Sequence, residues 1–106
     1  MNMYRQGDVL IEAVAVVPKS AKKQKRSARI VLALGEATGH HHTVEASDPA
    51  DWWKNGEGLT EEKFVKLHRS AIVTHQEHAT IELPAGTYRV SRQREYSPEA
   101  IRRVMD

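Results

Sequence analysis

The chain has 106 residues, a net charge of +2, 40% hydrophobic and 28% charged residues, and no cysteine. That length suits a single domain over residues 1–106 with its own core, and the composition is that of a folded globular chain. Disulfides and thiolate zinc sites are excluded. No apolar run approaches the roughly 20 residues that span a bilayer, and the first five residues lack a signal-peptide core, so the expectation is a cytoplasmic protein with no membrane partner.

From Tyr4 to Val17 the chain reads as a strand, with Val9, Ile11 and Ala13 alternating against Asp8, Leu10 and Glu12. Pro18 stops it. Lys19 to Ser27 is basic and nearly free of apolar residues, which predicts an exposed loop or hairpin tip. Together with Arg29 this block could touch phosphates, although a solvated loop is the plainer reading. Ile30 to Leu34 is a short apolar run of the kind a buried strand shows, ending at Gly35, and the chain must turn before Gly39. His40 to Ala46 resumes an extended pattern.

Asp48-Pro49 through Gly56 carries helix punctuation: a capping Asp, Pro at the first position and Gly past the end. This predicts a short helix or turn, with Trp52 and Trp53 packing it onto the body of the protein. Phe64 to Leu67 and Ala71 to Thr74 read as strand pieces, with Thr60-Glu61-Glu62 as an alternative helical cap. Ala79 to Leu83 and Gly86 to Glu95 fit a hairpin through a type I turn at Leu83-Pro84-Ala85-Gly86. Ser97-Pro98 could open a short terminal helix. The sum is a mainly β chain: a small β-barrel or sandwich of six to seven short strands with one or two short helices.

Five of the six histidines fall in two groups, His40-His41-His42 and His75-x-x-His78. Strand alternation puts His40 and His42 on one face with the apolar Val44, leaving His41 on the other. If Gln76-Glu77 is a tight turn, His75 and His78 oppose each other with β-carbons about 5 Å apart. In that register Ile72, Thr74, Ala79, Ile81 and Leu83 form the apolar face, and the two histidines share the other with Val73, Thr80 and Glu82. Gln-Glu suits a primed turn poorly, so a wider loop or one helical turn is an alternative, and either brings the rings within reach of one ion. His40, His42, His75 and His78 are therefore the candidate metal ligands, with Glu77, Glu45 or Glu36 as a carboxylate partner.

On the last strand Tyr88 and Val90 read as core, and period-2 alternation places Arg92, Arg94 and Tyr96 on the same face. Such a stripe could bind an anion, carboxylate or phosphate, or the arginines could reach water or pair with Glu82, Glu95 or Glu99.

Gly35-x4-His40-x-His42-x2-Glu45 resembles the first motif of the cupin superfamily, whose glycine, two histidines and glutamate hold a metal inside a small β-barrel. Pro84-x-Gly86-x2-Arg89-x3-Gln93 is similar to the second cupin motif, with Arg89 where that family has a metal-binding histidine and Gln93 in place of asparagine. The resemblance spans residues 35–93 and implies a metal-holding barrel in which His75 or His78 supplies the missing nitrogen. The segments RQGDVLI, GEATGHHHTV, VTHQEHATIELPAGTYRV and RQREYSPE also look like a group of small bacterial or phage proteins without an assigned activity.

These residues lead to a histidine-rich β-barrel that binds a divalent metal such as zinc, iron, manganese or nickel. As an enzyme it would use Glu77 as general base and act on an anionic or phosphate-containing small molecule. The rival reading is a non-catalytic module, phage or mobile-element encoded, whose basic segments engage nucleic acid or an acidic protein. A pH-sensing histidine patch without metal is a third. A homodimer through an edge strand is open. No phosphate-binding glycine loop, dinucleotide fingerprint, zincin helix or nucleophile elbow is present.

Overall fold

The computed structural model describes residues 2–34 and 40–92. Tyr4 to Val17 does not run as one strand. Gly7 takes φ 61° with Asp8 at negative φ, the pattern of a two-residue II′ turn, and the chain folds into a hairpin of β1 (Met3–Gln6) and β2 (Val9–Ala13) in which Gln6 faces Val9. Glycine is needed there because a side chain in that conformation costs about 1–2 kcal/mol.

The centre of the molecule is β5, a 15-residue strand over His41–Asn55. Along one side of it run β3 (Lys22–Lys23) and β4 (Ser27–Leu34); along the other run β6 (Glu62–Leu67) and β7 (Ala71–Thr74). The helix expected from Asp48-Pro49 is therefore corrected to strand. Trp52 sits opposite Val65 and Trp53 opposite Phe64, and such cross-strand aromatic pairs outweigh the capping preference of one Asp-Pro. Pro49 lies where β5 passes from β7 to β6 and its register with β4 slips, so its missing N–H breaks no ladder bond.

The hairpin expected at Pro84 is also corrected. β8 (Ile81–Leu83) pairs with β7, whereas β9 (Gly86–Arg92) leaves it and inserts between β2 and β6. The Tyr88 hydroxyl donates to the Pro84 carbonyl at 2.7 Å, holding this corner. Helix among the described residues is limited to a 3₁₀ turn at Gly58–Thr60, and none is long and apolar enough to cross a membrane. The expected turn at 35–39 and terminal helix at Ser97 lie outside the described residues.

The strand order β1-β2-β9-β6-β5-β7-β8 curls into a nearly closed barrel. Val9, Ile11, Ile30, Val44, Val65, Val73 and Leu83 are almost fully buried within it, each contributing roughly 1.5–3 kcal/mol of burial free energy. The ends of the order, β1 and the β7–β8 pair, are joined by a side chain. Gln6 is buried, and its Nε2 donates to the Val73 carbonyl at 3.1 Å and the Ala79 carbonyl at 2.8 Å. The candidate site is built on this seam.

Candidate functional site

Three segments meet at the seam: the Gly7-Asp8 turn, the start of β5 with His40 to His42, and the six-residue loop 75–80 between β7 and β8. The tight turn considered for Gln76-Glu77 is corrected to this wider loop, and so is the face assignment. Val73 opposes Ile81 and is fully buried, whereas Ile72 is 38% exposed, so the inward face carries Ala71, Val73 and Leu83. His75, two residues beyond Val73, continues that inward stripe. The Gln76 Oε1 accepts the His41 N–H at 3.0 Å and ties the loop to β5.

The imidazoles from distant stretches touch one another. Ring centroids of His42 and His75 are 4.3 Å apart, those of His75 and His78 4.7 Å, His40 and His75 5.6 Å, and His42 and His78 6.2 Å. His42 is the buried member at 3% exposure, sharing its face with Val44 as alternation predicts. A Cβ added to Gly7 would stand 2.8 Å from His78 Nε2 and 3.4 Å from His42 Cε1, so the turn glycine admits both rings.

Hydrogen bonding fixes the tautomer of His42. The Gln6 amide must point its nitrogen at the two carbonyls, because its oxygen there would face two acceptors. Its Oε1 therefore faces His42 Nδ1 at 2.8 Å and can only accept, so Nδ1 carries the proton. Nε2 of the neutral ring is then an open lone pair. Burial, followed by the neighbouring His75, pushes the His42 pKa down to about 4, although Asp8 opposes the shift; the ring is neutral at pH 7.

Asp8 is aimed at that lone pair. Arg92 donates to its Oδ2 from two nitrogens, at 3.1 and 3.3 Å, while Oδ1 lies 3.7 Å from His42 Nε2, beyond hydrogen-bond reach. An unprotonated nitrogen and a carboxylate oxygen thus face each other with no proton between them. That arrangement favours a cation or a bridging water.

His75 is set differently. Its Nδ1 accepts the Glu77 N–H at 3.0 Å, which puts the proton of the neutral ring on Nε2. Burial and then His78 lower its pKa. Glu77 is 67% exposed, with its carboxylate 3.7 Å from His40 Nδ1. With the side chains so placed, no three His, Asp or Glu groups among the described residues converge as a set that could hold a metal ion. The rings are adjacent, and His42 is the buried one whose hydrogen bonding fixes the tautomer and leaves Nε2 open.

Of the expected anion stripe, Arg92 is engaged by Asp8, and Arg94 and Tyr96 lie outside the described residues. Arg89, at the position of the second cupin motif's ligand, is on the opposite face of β9 from Tyr88 and Val90 and pairs with Glu12. Sequence reasoning missed Gln6, Gly7 and Asp8. Gly-Asp between two alternating runs is a hairpin signal that could have revealed the turn.

A family model described as a domain of unknown function, DUF8820, matches residues 5–93. The chain belongs to that family. The match to DUF8820 covers both histidine groups and Arg92, and it is this family of unknown function, rather than the cupins, that the comparison shows. Comparison with curated proteins and with solved structures finds no match.

Proposed function

We propose that this DUF8820 chain binds a divalent metal ion at the seam of its barrel, through His42 Nε2 with His78, His75 and His40 as the surrounding nitrogen donors and Asp8 Oδ1 as the carboxylate. The single observation that carries this reading is the tautomer of His42. A neutral, buried imidazole whose Nδ1–H is held by a fixed acceptor presents the unprotonated Nε2 that metal ligation requires. Gln6 acts as the orienting partner, and Arg92 orients Asp8 in the same way.

Full ligation asks the surrounding rings to turn toward a common point. His75 must release the Glu77 N–H, a hydrogen bond exposed to water and worth about 1 kcal/mol. Imidazole and carboxylate donors without thiolate suit zinc, iron, manganese or nickel. A bound divalent ion would polarise a ligand oxygen or lower the pKa of bound water. Glu77, exposed beside His40, would take up a proton, and metal-assisted chemistry on a small anionic molecule is the enzymatic form of the proposal.

The test is metal content and zinc calorimetry on protein purified without a histidine tag. The expected result is one equivalent bound, a melting temperature that chelation lowers, and affinity about 100-fold weaker in His42→Ala. Protein that is metal-free, takes up no zinc and melts identically with chelator would overturn it.

A further inference from the structure

A second feature shares Arg92 with the seam but is lined by none of its imidazoles. A cleft of about 950 Å³ opens between β4 and the β6–β9 face, with Trp52 and Lys54 of β5 on its wall. Its lining includes six cationic side chains, Lys25, Arg26, Arg29, Lys54, Lys63 and Arg92, against one carboxylate, Glu61. The whole chain carries a net charge of only +2, so positive charge is concentrated along this cleft.

Three of the six are neutralised: Arg26 by Asp51, Lys63 by Glu61 and Arg92 by Asp8. Lys25, Arg29 and Lys54 have no carboxylate within ion-pair distance among the described residues. Beneath the charges the lining is apolar, with Ile30, Leu32 and Val90 buried, and beside them is the indole of Trp52. That indole is fixed, since its Nε1 donates to the Lys25 carbonyl at 2.9 Å and Lys54 Nζ stands 5.8 Å from its ring.

We propose that this cleft binds a phosphate-bearing organic molecule of nucleotide size, its phosphates on Lys25, Arg29 and Lys54 and its planar part against Trp52 and the apolar wall. The volume is that of a small-molecule site rather than of a protein interface. Exposed cations at the mouth without carboxylate partners would attract an anion, and the indole with its aliphatic neighbours suits a planar ring more than inorganic phosphate. The assignment does not depend on metal at the histidines.

The same chemistry could come from a free nucleotide or from a nucleic-acid strand, and titration separates them. ATP and a ten-residue single-stranded DNA are each added to the full chain at low salt, with tryptophan fluorescence and calorimetry as readouts and Trp52→Phe to assign the optical signal. ATP is expected to bind saturably at one site. Lys25→Glu/Lys54→Glu should weaken it by about tenfold or more for each cation lost. Arg29→Glu is the second variant, should the double one melt early. A strand binding more tightly than ATP with the same dependence on Lys25 and Lys54 would identify nucleic acid as the source; tighter ATP binding identifies the free nucleotide. No saturable binding of either at millimolar concentration, or binding indifferent to both charge reversals, overturns the proposal.

Discussion

The barrel contains the same trio of side chains twice, and the two behave differently. At the seam, His42, Asp8 and Arg92 meet; on the outer surface, His68, Asp51 and Arg26 do. In the surface trio the His68 Nε2 lies 3.1 Å from Asp51 Oδ2, and Arg26 Nε donates to Oδ1 at 3.1 Å. Desolvation pushes Asp51 up, but hydrogen bonds from Arg26 and His68 and the charges of Arg26 and Lys23 outweigh it and hold the carboxyl below its ordinary value. The His68 Nε2 is shared between the Asp51 carboxylate and the Arg26 guanidinium, which stands 3.2 Å from it. At the seam Gln6 takes the His42 proton on the far side of the ring, so the nitrogen facing Asp8 stays unprotonated. Proximity of histidine to aspartate therefore does not make a site; the partner of the other ring nitrogen does.

Removing Gln6 should produce the largest effect. Gln6→Ala strands two carbonyls and the His42 Nδ1–H in a buried seam, and at about 1–3 kcal/mol for each buried group left unsatisfied the loss is roughly 4 kcal/mol, read from the urea midpoint. The variant should also lose zinc affinity. A Gln6→Ala protein of unchanged stability would show that the seam is not held this way.

Acid should expose the same contrast. His42 has a folded pKa of about 4 against 6.5 unfolded, so between those values the unfolded chain binds more protons and stability rises with pH. Metal-free protein is expected to lose roughly 3 kcal/mol as pH falls from 7 to 4. His75, also lowered, adds to the slope with the same sign. His42→Phe should flatten the curve; an unchanged slope in that variant would place the proton uptake elsewhere.

Gly7→Ala ranks next. A methyl group at φ 61° costs about 1–2 kcal/mol, and at 2.8 Å from His78 Nε2 it also displaces that ring. Zinc affinity should fall by about tenfold with a smaller fall in stability. The weakest expectation concerns the surface trio: Asp51→Asn should cost under about 1 kcal/mol, an ordinary value for an exposed ion-pair network, and should not alter zinc binding.

The sequence carried the β class, the buried Val9-Ile11 and Tyr88-Val90 pairs, and the inward placement of His42 beside Val44, because period-2 alternation follows directly from strand geometry. It also paired the two histidine groups, which share one end of β5 and β7. It did not carry the long β5, since Asp48-Pro49 obeys local capping rules that the tertiary partners of Trp52 and Trp53 override. Nor did it carry the route of β9, because Pro84-Ala85-Gly86 has hairpin-like chemistry but turns a corner between partners. Gln6 and Asp8 escaped notice because their roles depend on the meeting of strand ends over 60 residues apart in the chain, which no local pattern encodes.

The central claim is that His42 is a neutral imidazole protonated at Nδ1 with Nε2 open to a metal. Long-range ¹H–¹⁵N imidazole spectra of untagged protein at pH 7, recorded before and after one equivalent of zinc, test it directly. Expected are a protonated Nδ1 and an unprotonated Nε2 at His42 in the metal-free protein, and a zinc-induced shift at Nε2 of that ring and at the rings of His40, His75 and His78. A proton on Nε2, or spectra that zinc leaves unchanged, would contradict it.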